Sequence, residues 1–434
     1  MSATGGGGAK ISGERASHSV EGREKGREGR PPVAMVVHAY YEEDARVRRE
    51  AETLVRRGWE VDVFGLRRPE DGPRATIAGV TLHRLPVRRH QGAGLPVYLA
   101  EYGAFLARAA IALAAAHRRR RYGLVEVHTL PDYLVFAALP LRLAGVPVLL
   151  DLHEAMPDFF RSRFPRAANP VSHALLRLQE RASIAAADEL LTVNDALGER
   201  LRRLAGPGRP VTVVLNAPDL DRFDARAQPA RPFMADGTLR IVYAGALTPT
   251  YELDVVLRAI ARLVVERPDL PVAAELYGRG DAAGPLASLA AELGIADRVR
   301  LPGRIPIEAV PAAVAAADVG VAPTRRDPFT DLSLSTKILE YGALGKPVVA
   351  SRLPTVERYF AADTLWTYEP GDPAALAAAL AAVVDRPAER DARVARTAAR
   401  IGDLGWERQA ERYLAVVERL TGGAARSGRE DAVA

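Results

Sequence analysis

The sequence predicts an α/β protein built as two doubly wound domains. Three observations carry this. Short β-branched runs alternate with longer helical patterns from end to end, the 434 residues suffice for two domains of ordinary size, and one stretch without periodicity splits the pattern near its middle. In the first half, strands are expected at residues 33–37, 60–64, 81–85, 124–127, 146–150, 189–193 and 211–215. A helix over 44–57 separates the first two, with Val47, Ala51, Leu54 and Val55 on one face and arginines on the other. The segment 217–237, APDLDRFDARAQPARPFMADG, is rich in Pro, Asp and Arg and reads as the linker. In the second half, strands are expected at 240–244, 271–277, 299–302, 319–322, 347–350 and 364–368, and an amphipathic helix over 406–420 closes the chain. The division is then a disordered tail at 1–31, an N-terminal domain at 32–216, the linker at 217–237 and a C-terminal domain at 238–403. A closing helix at 404–420 and a polar, disordered tail at 421–434 complete it.

Composition narrows the chemistry. The absence of Cys excludes thiolate nucleophiles, Cys zinc sites and disulfides. The first thirty residues have no apolar run resembling an export signal, and the Ala-rich stretch 100–116 is broken by Glu101, Gly103 and Arg108, which argues against a membrane span. A cytoplasmic protein is expected. The net charge of +5 is carried almost wholly by Arg. The run 118–121 reads first as a solvated helix end, with peripheral contact at an anionic inner membrane face left open. Nucleic acid is not an expected partner, because neither zinc-finger spacing nor an aromatic-and-basic signature is present.

Two doubly wound domains place their crevices at the carboxyl ends of parallel strands, facing each other, which suits a two-substrate enzyme. The most informative segment is 331–351, DLSLSTKILEYGALGKPVVAS. Ser333, Ser335 and Thr336 precede a short helix over 337–344, Gly345 stops it, and Pro347 opens a strand. The free N–H groups of such a helix start bind anions. Lys337 adds a charge there, and Glu340 lies on the same face, so a diphosphate at the helix start and a ribose beside Glu340 would use both. The chain has four lysines, and apart from Lys10 and Lys25 in the N-terminal tail only Lys337 and Lys346 remain, which singles out Lys337. No GxGxxG follows the first strand, where the sequence reads HAYYEED, so a dinucleotide-dependent dehydrogenase is disfavoured.

The run KILEYGALGKPVVA from Lys337 resembles the donor-site segment of the retaining glycosyltransferases of family 4, which have the GT-B fold of two Rossmann-like domains facing across a cleft. IVYAGAL, ELYGRGD, RVRLPGRIP and AAADVGVAPT follow the family order in the second half, and LLDLHE, ADELLTVND and VVLNAPDLDRF do so in the first. The resemblance covers roughly residues 33–420 and is specific as a set. It implies that Glu340 binds the donor ribose, that Gly245 and Ala246 approach the phosphates, that Gly278 lies beside the nucleotide, and that Arg304 and Ile305 meet the base edge. It also implies that His128 lies near the reacting sugar, that His153 and Glu154 close the next strand at the acceptor, and that Tyr40, Tyr41, Asp44 and Arg46 form the acceptor loop.

Two departures stand out. The family often has an acidic residue eight positions before Glu340, where this chain has Leu332, with Asp331 beside it as a substitute. The Arg and Lys that often follow the first strand of the second domain are here Ala246 and Tyr251, which leaves Arg325, Arg326 and Lys337 to meet the phosphate charge, with Ser335 and Thr336 beside the donor at the helix start.

The expected activity is therefore a retaining, hexosyltransferase-type glycosyltransferase that takes a nucleotide sugar as substrate, with no cofactor and no metal, and a saccharide or lipid-linked acceptor. Lys337, Glu340 and His128 carry the catalytic expectation. The resemblance further implies front-face substitution, in which the departing diphosphate helps deprotonate the acceptor hydroxyl. Two other readings stay open on sequence grounds: a nucleotide-sugar epimerase or hydrolase, and a non-catalytic nucleotide-sugar-binding partner subunit.

Overall fold

The computed structural model describes residues 29–90, 94–229 and 231–430, with side chains to residue 422, so residues 1–28 of the expected tail at 1–31 and the last four of the one at 421–434 lie outside the described part. The first domain is an eight-stranded sheet of β1 (Val33–Val37), β2 (Val61–Leu66), β3 (Arg74–Ile77), β4 (Val80–Leu85), β5 (Leu124–His128), β6 (Val148–Leu152), β7 (Glu189–Thr192) and β8 (Val211–Val213). Its order is β3-β4-β2-β1-β5-β6-β7-β8. All pairings are parallel except β3 with β4, a hairpin at the edge that periodicity did not predict. Alternating exposure along β3 explains the miss: RATI is a half-exposed edge and lacks the continuous apolar run of a buried parallel strand.

The second domain contains β9 (Leu239–Ala244), β10 (Val272–Tyr277), β11 (Val299–Gly303), β12 (Val319–Ala322), β13 (Val348–Ser351) and β14 (Trp366–Tyr368). They form one parallel sheet in the order β11-β10-β9-β12-β13-β14. Strand order reverses at β1 in the first sheet and at β9 in the second, and residues that follow β1 and β9 line one cavity.

The helix Ala45–Arg56 is capped by Asp44, whose carboxylate accepts from the Arg46 and Val47 amides, and buries Val47, Ala51 and Leu54 against β1 and β2. The helix Leu95–Arg120 is long and apolar enough to cross a membrane by composition, yet it buries Phe105, Ala109 and Leu113 in the first domain's core and ties Glu101 to His38 at 3.0 Å. The last helix, Trp406–Glu430, continues past residue 420, where the sequence pattern ended it. It returns to the first domain: Trp406, Tyr413, Val416 and Val417 join the core around Val33 and Met35, and Trp406 Nε1 donates to Thr53 Oγ1 at 3.0 Å. Burying large side chains such as these contributes roughly 1.5–3 kcal/mol each.

Candidate active site

Three adjoining cavities of about 410, 640 and 880 Å³ run between the two sheets and share walls, so they form one cleft. Contacts from both domains close over it. Arg304 Nη1 lies 2.8 Å from Glu43 Oε2, Ser162 Oγ donates to Asp327 Oδ2 at 2.8 Å, and Arg163 Nη1 lies 3.2 Å from Asp281 Oδ2.

Lys337 and Glu340 sit where the first two cavities meet. They ride on the helix Thr336–Ala343, whose N-cap Ser335 makes no capping hydrogen bond and whose Oγ has no partner within the protein. The start of this helix therefore presents unused donors to the cavity that Ser335 and Thr336 line. The Lys337 ammonium lies 4.0 Å from the centre of the Tyr251 ring and 5.1 Å from that of Tyr243. Tyr251, which stands where the family often carries lysine, thus becomes the platform under the remaining lysine. Burial raises the Glu340 carboxyl above its ordinary value, opposed by Lys337, by a hydrogen bond from Thr336, and by Arg49 and Arg222.

The glycine turn is shaped by contact. A Cβ on Gly245 would stand 2.8 Å from Lys337 Nζ and 2.9 Å from Tyr243 Oη, and Gly278, at φ +152°, packs directly on the Gly245 carbonyl. Gly245, Ala246, Gly278, Arg304 and Ile305 all line the 640 Å³ cavity together with Lys337 and Glu340. Tyr40 lines this cavity too, and not the opposite end where an acceptor loop was expected. Its ring is covered by Arg68 at 4.6 Å.

At the other end, Arg46 and Glu154 line both the 410 and 880 Å³ cavities, His153 lines the former and Arg325 the latter. Burial acts to raise the Asp44 carboxyl, but the Arg46 guanidinium, 3.0 Å away, and the nearby His153 and His128 outweigh it and hold the group well below the usual carboxylate range. Glu154 is raised by burial, with Arg46 opposing.

His128, Tyr41, Arg326 and Asp331 were expected at the site and line none of these cavities. His128 is fully buried and lines none of the three cavities, because β5 ends beneath the surface and its Nδ1 is held 3.0 Å from Asp151 Oδ2. Tyr41 is 3% exposed and packs in the β1–β2 core. Arg326 turns to Asp331 at 3.3 Å, which also occupies the acid expected to replace the missing one. Leu332 plugs the domain interface: its side chain packs on the first domain's core, and its carbonyl accepts from Asn194 Nδ2 at 2.8 Å. Lys346 is structural, its ammonium donating to the Ala315 and Ala317 carbonyls.

Sequence reasoning missed Arg49 and Arg222, which line the 410 Å³ cavity, and Arg89, which lines the other two. The sequence pattern puts Arg49 with the arginines opposite the apolar face of its helix. It stacks 4.3 Å over Trp406, donates to Asn216 Oδ1 at 2.9 Å and lines the 410 Å³ cavity, where Arg222 joins it. The signal was the returning Trp406, which covers that face, and helical periodicity alone does not reveal it.

Residues 44–217 match the family described as Glycosyl transferase 4-like domain, and residues 238–386 match Glycosyl transferases group 1. A D-inositol 3-phosphate glycosyltransferase of Thermobispora bispora is 30% identical over 85% of this chain and 89% of its own. The enzyme of the same description from Streptomyces avermitilis is 32% identical over 68% and 64%. Among solved structures, a sucrose-phosphate synthase from Thermosynechococcus elongatus superimposes with a TM-score of 0.73 at 20% identity, covering 91% of this chain and 100% of that one. Anabaena HepE in complex with UDP-glucose gives 0.66 at 15% identity, covering 89% and 99%. With both halves matched to glycosyltransferase families and a relative aligned along most of its length, the chain belongs to glycosyltransferase family 4 and has the GT-B fold.

Proposed function

We propose that the protein transfers a sugar from a nucleotide sugar to a saccharide or lipid-linked acceptor with retention of anomeric configuration and without a metal ion at the diphosphate. The observation that carries this is the convergence of Lys337, the uncapped start of the helix Thr336–Ala343 and the Gly245 turn on one cavity. The helix N–H groups and the Lys337 ammonium supply positive charge where a diphosphate leaves, and Glu340 accepts from the ribose hydroxyls. The carboxylates lining the 640 Å³ cavity are Glu43 and Glu340. The first is tied to Arg304 and Arg68 and the second is given to the ribose, which supports charge neutralisation by side-chain cations. Arg304 and Ile305 border the base.

The acceptor enters the 880 Å³ cavity, where Arg46, Glu154 and Arg325 orient it, with His153 at the junction. Asp44, engaged by Arg46, is a poor candidate for a covalent nucleophile, which favours front-face substitution in which the departing diphosphate accepts the acceptor proton. Holding acceptor and donor together in a closed cleft contributes by positioning and by excluding water.

Several neighbours were solved with UDP or UDP-glucose, and the relatives are named for D-inositol 3-phosphate, so these are the first probes. The test is nucleotide release from UDP-glucose and UDP-N-acetylglucosamine, with GDP-, ADP- and TDP-sugars beside them, in the presence and absence of D-inositol 3-phosphate and oligosaccharide acceptors. Acceptor-dependent release, an axial anomeric product by NMR from an axial donor, and a large loss of turnover in Lys337→Ala with the fold intact are expected. Release that no acceptor accelerates would replace this reading by hydrolysis or epimerisation, and an unchanged Lys337→Ala rate would remove the role given to that lysine.

A further inference from the structure

We infer that the first domain contains a buried divalent-cation site beneath the cleft, with Glu50, Glu126, His128 and Asp151 as its ligands. β5 and β6 pair in parallel with His128 opposite Asp151. Residues two apart on a strand share a face, so Glu126 and His128 on β5 share one with Asp151 on β6, and His153 follows just beyond the end of that strand. Glu50, on the helix Ala45–Arg56, reaches the same group. One ligand atom from each of Glu50, Glu126, His128 and Asp151 lies within 4.8 Å of the others. His128 Nδ1 is 3.0 Å from Asp151 Oδ2 and 3.6 Å from Glu50 Oε2. These separations bracket the edge of roughly 3.3 Å expected for tetrahedral ligands held at about 2.0–2.1 Å from an ion.

The second observation is independent of that spacing. Glu126 Oε1 is buried without a partner, in a residue that is 0% exposed, and Glu50 Oε2 makes no hydrogen bond, only the 3.6 Å contact with His128. Buried carboxylate oxygens are ordinarily satisfied by donors or by a cation, and leaving them bare is costly. The other Glu126 oxygen does have a donor, Tyr413 Oη at 2.6 Å. None of the four ligands lines the cleft, so the site is separate from the sugar-transfer machinery and does not rest on the function proposed above.

Mixed imidazole and carboxylate donors suit Zn²⁺ or Mn²⁺ better than Mg²⁺, which prefers an all-oxygen, largely hydrated shell. The ion would also act at a distance. Asp151 Oδ2 lies 2.5 Å from His153 Nε2, so fixing Asp151 orients a histidine that does line the cleft.

The test uses the full chain expressed without a polyhistidine tag, purified without chelator and assayed by inductively coupled plasma mass spectrometry. About one Zn²⁺ or Mn²⁺ per chain is expected. Metal-stripped protein should regain thermal stability with Zn²⁺ or Mn²⁺ and not with Mg²⁺, and Co²⁺ should give the visible absorption of a low-coordinate imidazole–carboxylate site. Glu50→Gln and Asp151→Asn should each lose the ion and the Co²⁺ spectrum. The Co²⁺ titration of the unmutated chain decides the question even if a variant fails to fold. No bound metal, no stabilisation and no Co²⁺ absorption would overturn the site, and so would full occupancy in both variants, which would place the ion elsewhere.

Discussion

Gly245→Ala separates the donor site from the fold with a single methyl group. The new Cβ would stand 2.8 Å from Lys337 Nζ and 2.9 Å from Tyr243 Oη, and nearer still to Lys337 Cε. Tyr243 is a fully buried ring, whereas the lysine tip is the flexible end of a side chain bordering two cavities. Strain is therefore relieved by moving the ammonium off its tyrosine platform. A displaced Lys337 loses its charge-assisted contact with the diphosphate, worth about 1.5–3 kcal/mol, which corresponds to roughly 10- to 150-fold in donor affinity or turnover. Stability should fall by about 1 kcal/mol, because the Tyr243 hydroxyl, which donates to the Ala246 carbonyl at 2.7 Å, must also give way, partly offset by the lower entropy of the unfolded chain. Gly198→Ala is the matched control. Its Cβ would stand 2.7 Å from Val213 Cγ2, on the helix Asp195–Ala205 of the first domain, which lines none of the three cavities. Overpacking there should cost about 1–3 kcal/mol and lower the melting temperature, with donor affinity retained. The assay is isothermal titration with UDP and UDP-glucose beside thermal melts of the three proteins. Wild-type affinity in Gly245→Ala, with an unchanged melt, would refute the placement of Lys337 at the diphosphate.

Other consequences follow from the same geometry. Glu340→Gln keeps the shape but weakens acceptance of ribose hydroxyls, so KM for the nucleotide sugar should rise about tenfold, with a smaller change for a deoxyribose donor. Competition kinetics with the two donors read this directly. Asp132 is fully buried, neither of its carboxylate oxygens has a hydrogen-bond partner, and burial, aided by the Glu180 charge, pushes its pKa well above the ordinary value. A carboxyl raised in the folded state is protonated there while the unfolded chain is ionised, so stability falls as pH rises from about 4 toward the folded pKa, by about 1.4 kcal/mol per pH unit. Asp132→Asn should match the parent near pH 4 and exceed it increasingly at higher pH in urea unfolding. Parallel stability curves would show that Asp132 does not carry the proton.

Much of the donor half was legible before the structure. Lys337, Glu340, Ser335 and Thr336 are placed by one local element, a helix with its own start and stop signals, and local patterns survive folding. Gly245 and Gly278 were legible as glycine turns, although their reason, two backbones packed on each other, is tertiary. The acceptor half was less legible, because depth beneath a sheet end is not periodic. Only His153 lines the cleft: Asp151 contacts both histidines, but His128 is the last residue within β5 whereas His153 lies beyond the end of β6. The role of Arg49 was not legible, because the helix that covers it arrives from residue 406 onward. Leu332 looked like a lost acid, and it packs as an apolar contact between the domains.

The central claim, that a nucleotide sugar binds between Lys337, Glu340 and the Gly245 turn, is tested most directly by thermal stabilisation against a panel of nucleoside diphosphates and their sugars, repeated with Lys337→Ala and Glu340→Ala. At a ligand concentration of 100 times Kd, stabilisation of about 2.7 kcal/mol is expected. The account predicts a shift of several degrees with one base and its sugar, lost or strongly reduced in both variants. Stabilisation by no nucleotide, or an equal shift in the unmutated chain and both variants, would contradict it.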